Sequence, residues 1–233
     1  EMAYLHVNGI DLYVEIYGEG TPLVCLHGNG EDHTTFSALG ATLSKEFKIH
    51  AFDTRGHGRS TMVTAYHYAD MAQDIAMALE ELFEGPVDLL GFSDGGIIAL
   101  FLAIWFPHLV RRMIICGANY HPYGIREEGR LAMQQEYDAT GNPLMPLMLQ
   151  EPWLTQEDLH RVSCPVWVVA GEYDIIEEAH TRELAAYLPN ARLRIMEDAD
   201  HSSYVVGSDQ LADLCRSFFH ESDQERGGID RCA

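Results

Sequence analysis

Val87-Asp88-Leu89-Leu90-Gly91-Phe92-Ser93-Asp94-Gly95-Gly96-Ile97-Ile98-Ala99-Leu100 passes from a short apolar run, through a turn of small residues, into a longer apolar run that ends at Phe106-Pro107. The first run suits a strand covered on both faces and the second a buried helix. Between them, Gly91-Phe92-Ser93-Asp94-Gly95 has the G-x-S-x-G form. Small residues at both flanks permit a sharp, strained turn that lifts a serine hydroxyl to the top of a sheet, at a helix N-terminus. Ser93 is therefore the candidate nucleophile.

Outward from this turn the chain alternates between strand-like and helix-like segments. Upstream, Tyr4–Val7 and Ile10–Tyr17 flank Asn8-Gly9, a dipeptide suited to a tight hairpin. Leu23–Leu26 and Lys48–Phe52 read as strands, and residues 34–43 and 66–83 as helices. Within the latter, Met71, Ile75, Ala78, Leu79 and Leu82 recur near a 3.6 period. Downstream, strands are expected at Met113–Cys116, Val166–Ala170 and Arg192–Met196, and helices over 177–188 and 208–220. Such alternation predicts an α/β fold, a mostly parallel eight-stranded sheet with helices on both faces. Between Asn119 and Ser163 no strand is evident. Helix-like pieces at 125–137 and 155–161 are separated by the breakers Gly141-Asn142-Pro143 and Glu151-Pro152.

A serine hydroxyl needs a base within hydrogen-bond reach, and among 12 histidines position decides the choice. His201, in Asp198-Ala199-Asp200-His201, follows the last strand and returns to the sheet edge that carries Ser93. The orienting acid should follow the penultimate strand, where Gly171-Glu172-Tyr173-Asp174 offers Asp174. Glu172, Asp198 and Asp200 are its rivals. Two backbone N–H groups are aimed where an oxyanion would develop: that of Asp94, after the nucleophile, and that of Asn29 in His27-Gly28-Asn29-Gly30, after the first parallel strand. His27 is read as a packing residue with a hydrogen bond into this loop.

The 233 residues are 47% hydrophobic, enough for an ordinary core, so disorder and mini-protein classes are excluded. With 36 Asp plus Glu against 15 Lys plus Arg, the net charge of −21 repels phosphates and anionic lipid, and neither a nucleic acid nor a membrane is expected as a partner. Five cysteines without metal or redox spacing, and no leader-like or membrane-length apolar segment, fit a reducing, cytoplasmic setting.

The motifs together resemble the α/β-hydrolase superfamily over residues 3 to 220. The order Ser93, Asp174, His201 is the order of that superfamily. Phe52-Asp53-Thr54-Arg55-Gly56-His57-Gly58-Arg59-Ser60 is similar to its D-x-R-G-x-G-x-S segment, for which structural hydrogen bonds from Asp53 and Arg55 are implied. A serine nucleophile argues against the haloalkane dehalogenases and epoxide hydrolases, which use aspartate. Ser93-Asp94 is similar to the elbow of valacyclovir-hydrolase-like (biphenyl-hydrolase-like) enzymes, and this resemblance gives Asp94 two readings, recognition of a substrate ammonium or a cap on its own helix.

The implied organisation is a core of 1–119 and 164–220, a small helical cap over 120–163 and a flexible tail over 221–233. Tyr120, Tyr123, Met133, Tyr137, Met145, Leu147, Met148 and Trp153 are available to line the underside of the cap, with Tyr120 and Trp153 the chosen substrate contacts. The expected activity is that of a serine hydrolase of the carboxylesterase class (EC 3.1.1), acting on a small molecule through an acyl-enzyme, with no cofactor or metal and with oligomeric state open. The alternatives are a C–C bond or lactone hydrolase with the same triad, and a hydrolase-like receptor with little turnover.

Overall fold

A computed structural model describes residues 1–221. Its eight strands are β1 (Met2–Val7), β2 (Ile10–Tyr17), β3 (Thr21–Leu26), β4 (Phe47–Phe52), β5 (Val87–Phe92), β6 (Val110–Cys116), β7 (Val166–Tyr173) and β8 (Ala191–Asp200). They form one sheet in the order β1-β2-β4-β3-β5-β6-β7-β8. β1 and β2 pair antiparallel through the Asn8-Gly9 turn, where both residues have positive φ, and β2 pairs antiparallel with β4. Every other pairing is parallel. The chain leaves β3 for β4 on one side and returns to β5 on the other. That reversal opens a crevice at the carboxyl ends of the central strands.

The helices are α1 (Ser37–Leu43), α2 (Tyr68–Leu82), α3 (Asp94–Trp105), α4 (Glu127–Thr140), α5 (Leu144–Gln150), α6 (Gln156–His160), α7 (Glu178–Tyr187) and α8 (Ala212–Phe219). Two apolar clusters sandwich the sheet. One joins Val24, Leu26 and Leu89 to α2 and α3 through Met71, Ile75, Leu79 and Ile98, and reaches Leu184 of α7. The other joins Leu23, Cys25 and Leu90 to α1 and α8 through Leu39, Leu43, Leu214 and Phe218. Burial on both faces explains why these strands are continuous apolar runs rather than alternating ones. Asp88, the one charge inside β5, is paired with Arg111 at 2.6–2.9 Å.

Two expectations are corrected. α5 lies where no helix was foreseen, in the short stretch between the breakers Gly141-Asn142-Pro143 and Glu151-Pro152, and it accommodates a further proline. Pro146 is the third residue of α5, in the first turn, where a missing N–H removes no intrahelical bond. β8 also runs on to Asp200 rather than ending at Met196. Its acidic end has low strand propensity, yet Asp200 pairs with Tyr173 across a register shift, and this tertiary pairing prevails. The tail expected over 221–233 lies, from residue 222, outside the described residues.

α4, α5 and α6 form the insertion between β6 and β7. No residue of α4 is buried. The insertion packs Tyr120, Leu147, Leu154 and Leu159 into the first apolar cluster. Its hydrogen bonds to the core include Leu144 O accepting from Asn29 Nδ2 at 3.3 Å, Glu151 accepting from the Tyr68 N–H at 3.3 Å, and Arg126 Nε donating to Asp174 O at 2.9 Å. Among the described residues, no helix is long and apolar enough to cross a membrane.

Candidate active site

Parallel pairing of β3 with β5 places Leu26 opposite Gly91, so the loops that follow, His27-Gly28-Asn29 and Phe92-Ser93-Asp94, leave the sheet side by side. Ser93 has φ +52 and ψ −116, a conformation rarely tolerated outside glycine. The surroundings enforce it. A Cβ on Gly91 would stand 2.4 Å from Gly95 O, and one on Gly95 only 2.0 Å from Leu26 O. The Ser93 N–H donates to Cys116 O at 2.7 Å, while its carbonyl accepts from Gly96 and Ile97. The strained turn is thus held from the neighbouring strand and from its own helix.

His201 and Asp174 reach the serine from the ends of β8 and β7. His201 Nε2 is 3.1 Å from Ser93 Oγ, and His201 Nδ1 is 2.7 Å from Asp174 Oδ1. The carboxylate fixes the tautomer: Nδ1–H donates to it, which leaves Nε2 free to accept the serine proton. Gly171 makes the meeting possible, since a Cβ there would stand 2.1 Å from Asp200 O. A Cβ on Gly117, at φ +61, would meet His201 Cε1 at 2.8 Å. Asp174 is buried and also accepts from the N–H groups of Ile176 and Gly171, at 3.0 and 3.2 Å. Burial pushes its carboxyl up, but the hydrogen bond and charge of His201 and these two amides outweigh it and hold Asp174 below the usual carboxylate range. Of its rivals, Glu172 accepts from the Asp198 N–H and Asp200 from its own turn.

The amide N–H groups flanking Asn29 are both engaged. Gly28 donates to Glu31 Oε1 at 3.2 Å and Gly30 to His57 Nε2 at 3.0 Å. Those of Asn29 and Asp94 have no protein acceptor among the described residues. His27 sits beneath this loop, donating from Nδ1 to Gly28 O at 2.7 Å and accepting the Thr54 N–H on Nε2 at 3.0 Å. Burial and the neighbouring His57 lower its pKa to about 4 and keep it neutral. In the segment after β4, Asp53 accepts from the N–H groups of His33 and Arg59, and Arg55 makes a bidentate pair with Asp74. Both are structural bonds, as the motif implied.

The side chain of Asp94 does not cap α3. Its Oδ1 accepts from Tyr68 Oη at 2.7 Å and its Oδ2 from Asn29 Nδ2 at 3.0 Å. Tyr120 turns away from the elbow, packing against α7 with its ring stacked 4.2 Å from His180 and its hydroxyl on Glu183. Trp153 is 62% exposed and donates to Gln150 O, with its ring stacked on His121. Among the described residues neither has a hydrogen bond or ring contact with Ser93, His201 or Asp174. A cavity of about 290 Å³ lies instead between α4, α5 and residues 64–67, and its lining includes Tyr66, His67, Tyr137, Leu147 and Glu151.

Sequence reasoning missed Tyr68, His57 and Arg126. Each lies far in the chain from the groups it holds, and no local motif marks the relation. Among the described residues, Asp32, His33 and Asp53 form the group whose ligand atoms lie within 4.8 Å of one another. Hydrogen bonds already occupy it: Asp53 Oδ1 takes both the main-chain and ring nitrogens of His33, and Glu15 faces the other ring nitrogen at 2.8 Å.

A serine, an imidazole and a carboxylate in series, with two unengaged amides beside the serine, are equipped for acyl transfer. Comparison with known proteins agrees on the fold. The family described as the alpha/beta hydrolase fold matches residues 21–144. The human serine hydrolase BPHL is 29% identical over 250 residues, which cover 93% of this chain and 85% of that protein. Among solved structures, the esterase EaEST from Exiguobacterium antarcticum superposes with a TM-score of 0.83 at 19% identity, covering 95% of this chain and 100% of that one. The enol-lactonase from Burkholderia xenovorans LB400 gives 0.78 at 22% identity, with 94% and 100% covered. At these identities the two structures speak for the fold alone.

Proposed function

The chain belongs to the α/β-hydrolase family, and from that premise we propose that it is a serine hydrolase that cleaves a carboxylic ester of a small molecule. The observation that carries this reading is the continuous hydrogen-bonded series Ser93–His201–Asp174 at 3.1 and 2.7 Å. In this mechanism His201 Nε2 takes the Ser93 proton as Oγ attacks the acyl carbon. Asp174 steadies the imidazolium, and the carbonyl oxygen, now an anion, is held by the N–H groups of Asn29 and Asp94. Collapse breaks the ester bond, and the alcohol leaves with the proton from His201. Water then loses a proton to the same nitrogen and attacks the acyl-enzyme; the acyl–Oγ bond breaks, the acid leaves and His201 returns the proton to Ser93 Oγ.

The insertion acts as a small cap over this site, supported by its contacts at Asn29, Tyr68 and Asp174. A reducing, cytoplasmic setting is part of the reading. It is supported by the thiols of Cys25, Cys116 and Cys215, which are buried and free. Net charge of −21 disfavours anionic substrates.

The test is a panel of p-nitrophenyl butyrate, a γ-lactone and a vinylogous 1,5-diketone on the wild type and Ser93→Ala. Ester turnover that falls by about 10³-fold or more in Ser93→Ala supports the reading. Turnover confined to the lactone or the diketone replaces the bond class, and unchanged turnover in Ser93→Ala overturns the mechanism.

A further inference from the structure

The two amides assigned to the oxyanion come from different loops, one after β3 and one after β5. Their relative position is therefore not set by a single turn. It is set by side chains: Asn29 Nδ2 donates to Asp94 Oδ2 at 3.0 Å, so the two residues whose N–H groups face the oxyanion are bonded to each other. Asp94 is 3% exposed and its second oxygen accepts from Tyr68 Oη at 2.7 Å, with Tyr68 itself 1% exposed in α2. On the other side, Asn29 Nδ2 also donates to Leu144 O, the first residue of α5 in the insertion. The series Tyr68–Asp94–Asn29–Leu144 thus runs from the core, through both amides, to the insertion.

We propose that the Asp94 side chain is a positioning residue: it holds the Asn29 amide in register with the Asp94 amide, so that both N–H groups point at one oxyanion. This inference rests on the serine-hydrolase reading. Movement of the Asn29 loop would leave a buried carboxylate oxygen without its donor, a loss that resists the movement. Burial raises the Asp94 carboxyl above its ordinary range, and the Tyr68 and Asn29 donors draw it back, so the carboxylate depends on both. A substrate ammonium would have to reach a carboxylate that is nearly sealed and already holds a donor on each oxygen. The geometry therefore favours alignment of the oxyanion hole over recognition of an amine.

The distinguishing experiment compares p-nitrophenyl 3-methylbutanoate with the p-nitrophenyl ester of valine, which differs by the α-ammonium alone. Asp94→Ala and Asn29→Ala should each lower kcat on both esters by about 10- to 100-fold with KM within about twofold, since losing an oxyanion donor outright costs about 10²–10³. The double variant should be no worse than the poorer single. Asp94→Asn should restore most of the loss, because its carbonyl can accept from Asn29 while Tyr68 Oη turns to accept its amide. Affinity for an aryl trifluoromethyl ketone, which forms an oxyanion adduct on the serine, should fall in parallel with kcat. Asn29→Ala, at a partly exposed position, preserves the test if Asp94→Ala does not fold. Selective loss of valine-ester turnover in Asp94→Asn overturns the proposal, as do additive losses in the double variant. Failure of the underlying reading is separate: ester turnover would then survive Ser93→Ala.

Discussion

At the elbow, Gly91 and Gly95 have no room for a methyl group and Ser93 is held at positive φ, whereas the 14 residues of α4 bury none of their side chains. Both regions border the same site. The elbow is over-determined: close backbone approach, the bond to Cys116 and the start of α3 all demand one conformation. The insertion is tied to the core by polar contacts and by Tyr120, Leu147, Leu154 and Leu159, but α4 itself contributes no buried residue and is freer to vary. Chemistry is thereby fixed by the sheet, while the shape around it is left to a segment that tolerates change.

The comparison is broken most severely at Gly95. Gly95→Ala places a Cβ 2.0 Å from Leu26 O, a backbone atom that has nowhere to go. We expect ester turnover to fall by more than about 100-fold, with a loss of about 3 kcal/mol in urea unfolding. Wild-type values in this variant would show that the elbow is looser than described.

Acid tests both regions at once. His27 lies under the loop after β3, bonded to Gly28 O, and His180 accepts the Tyr120 N–H at 3.1 Å where the insertion begins. Burial lowers both to about 4 from 6.5, helped by His57 for the first and His121 for the second. The unfolded chain therefore binds protons that the folded chain refuses, and stability present above pH 6.5 is lost as pH falls towards 4. Each histidine contributes up to about 3 kcal/mol of that loss. Asp94, raised by burial, works in the opposite direction at lower pH. Urea midpoints should drop between pH 6.5 and 4, and His27→Gln, which keeps a donor and an acceptor, should flatten the drop. An unchanged pH profile in His27→Gln would contradict this account.

How far the sequence could be read follows the same division. β5 was bounded correctly because a strand buried on both faces shows as an unbroken apolar run, and the elbow because its glycines are sterically compelled. That Ser93, His201 and Asp174 would be brought together was legible from their places at strand ends. α5 was hidden because its seven residues lie between the breakers Gly141-Asn142-Pro143 and Glu151-Pro152, too short a run to show a helical period. Tyr68, His57 and Arg126 were illegible for another reason: each acts through a partner more than 25 residues away, Tyr68 on Asp94, His57 on Gly30 and Arg126 on Asp174. Tyr120 and Trp153 were named on aromatic character alone, which does not show that Tyr120 stacks on His180 or that Trp153 stacks on His121.

A smaller effect is expected where the two regions meet. The Arg126 N–H donates to Ile175 O, the Glu177 N–H donates to Gly124 O, and the Arg126 guanidinium bridges Asp174 O and Glu177. This short ladder ties the start of the insertion to the loop carrying Asp174. Arg126→Met should lower kcat about 10-fold, about 1.4 kcal/mol in the barrier, with KM little changed and Arg126→Lys partly restoring it. A pure KM effect would assign Arg126 to substrate binding. The smallest effect is expected on α4, where Leu131 is 57% exposed. Leu131→Ser should change stability by less than about 0.5 kcal/mol and leave kcat alone. A large loss would mean that α4 packs against something more than solvent.

The central claim is that Ser93 is a nucleophile activated by His201. Its most direct test is labelling of the folded protein with a fluorophosphonate, followed by intact mass and peptide mapping. The account predicts one adduct, on Ser93, formed at least about 10³-fold more slowly in His201→Gln and absent in urea-unfolded protein. No adduct on the folded wild type, or labelling of Ser93 that is indifferent to His201, would contradict it.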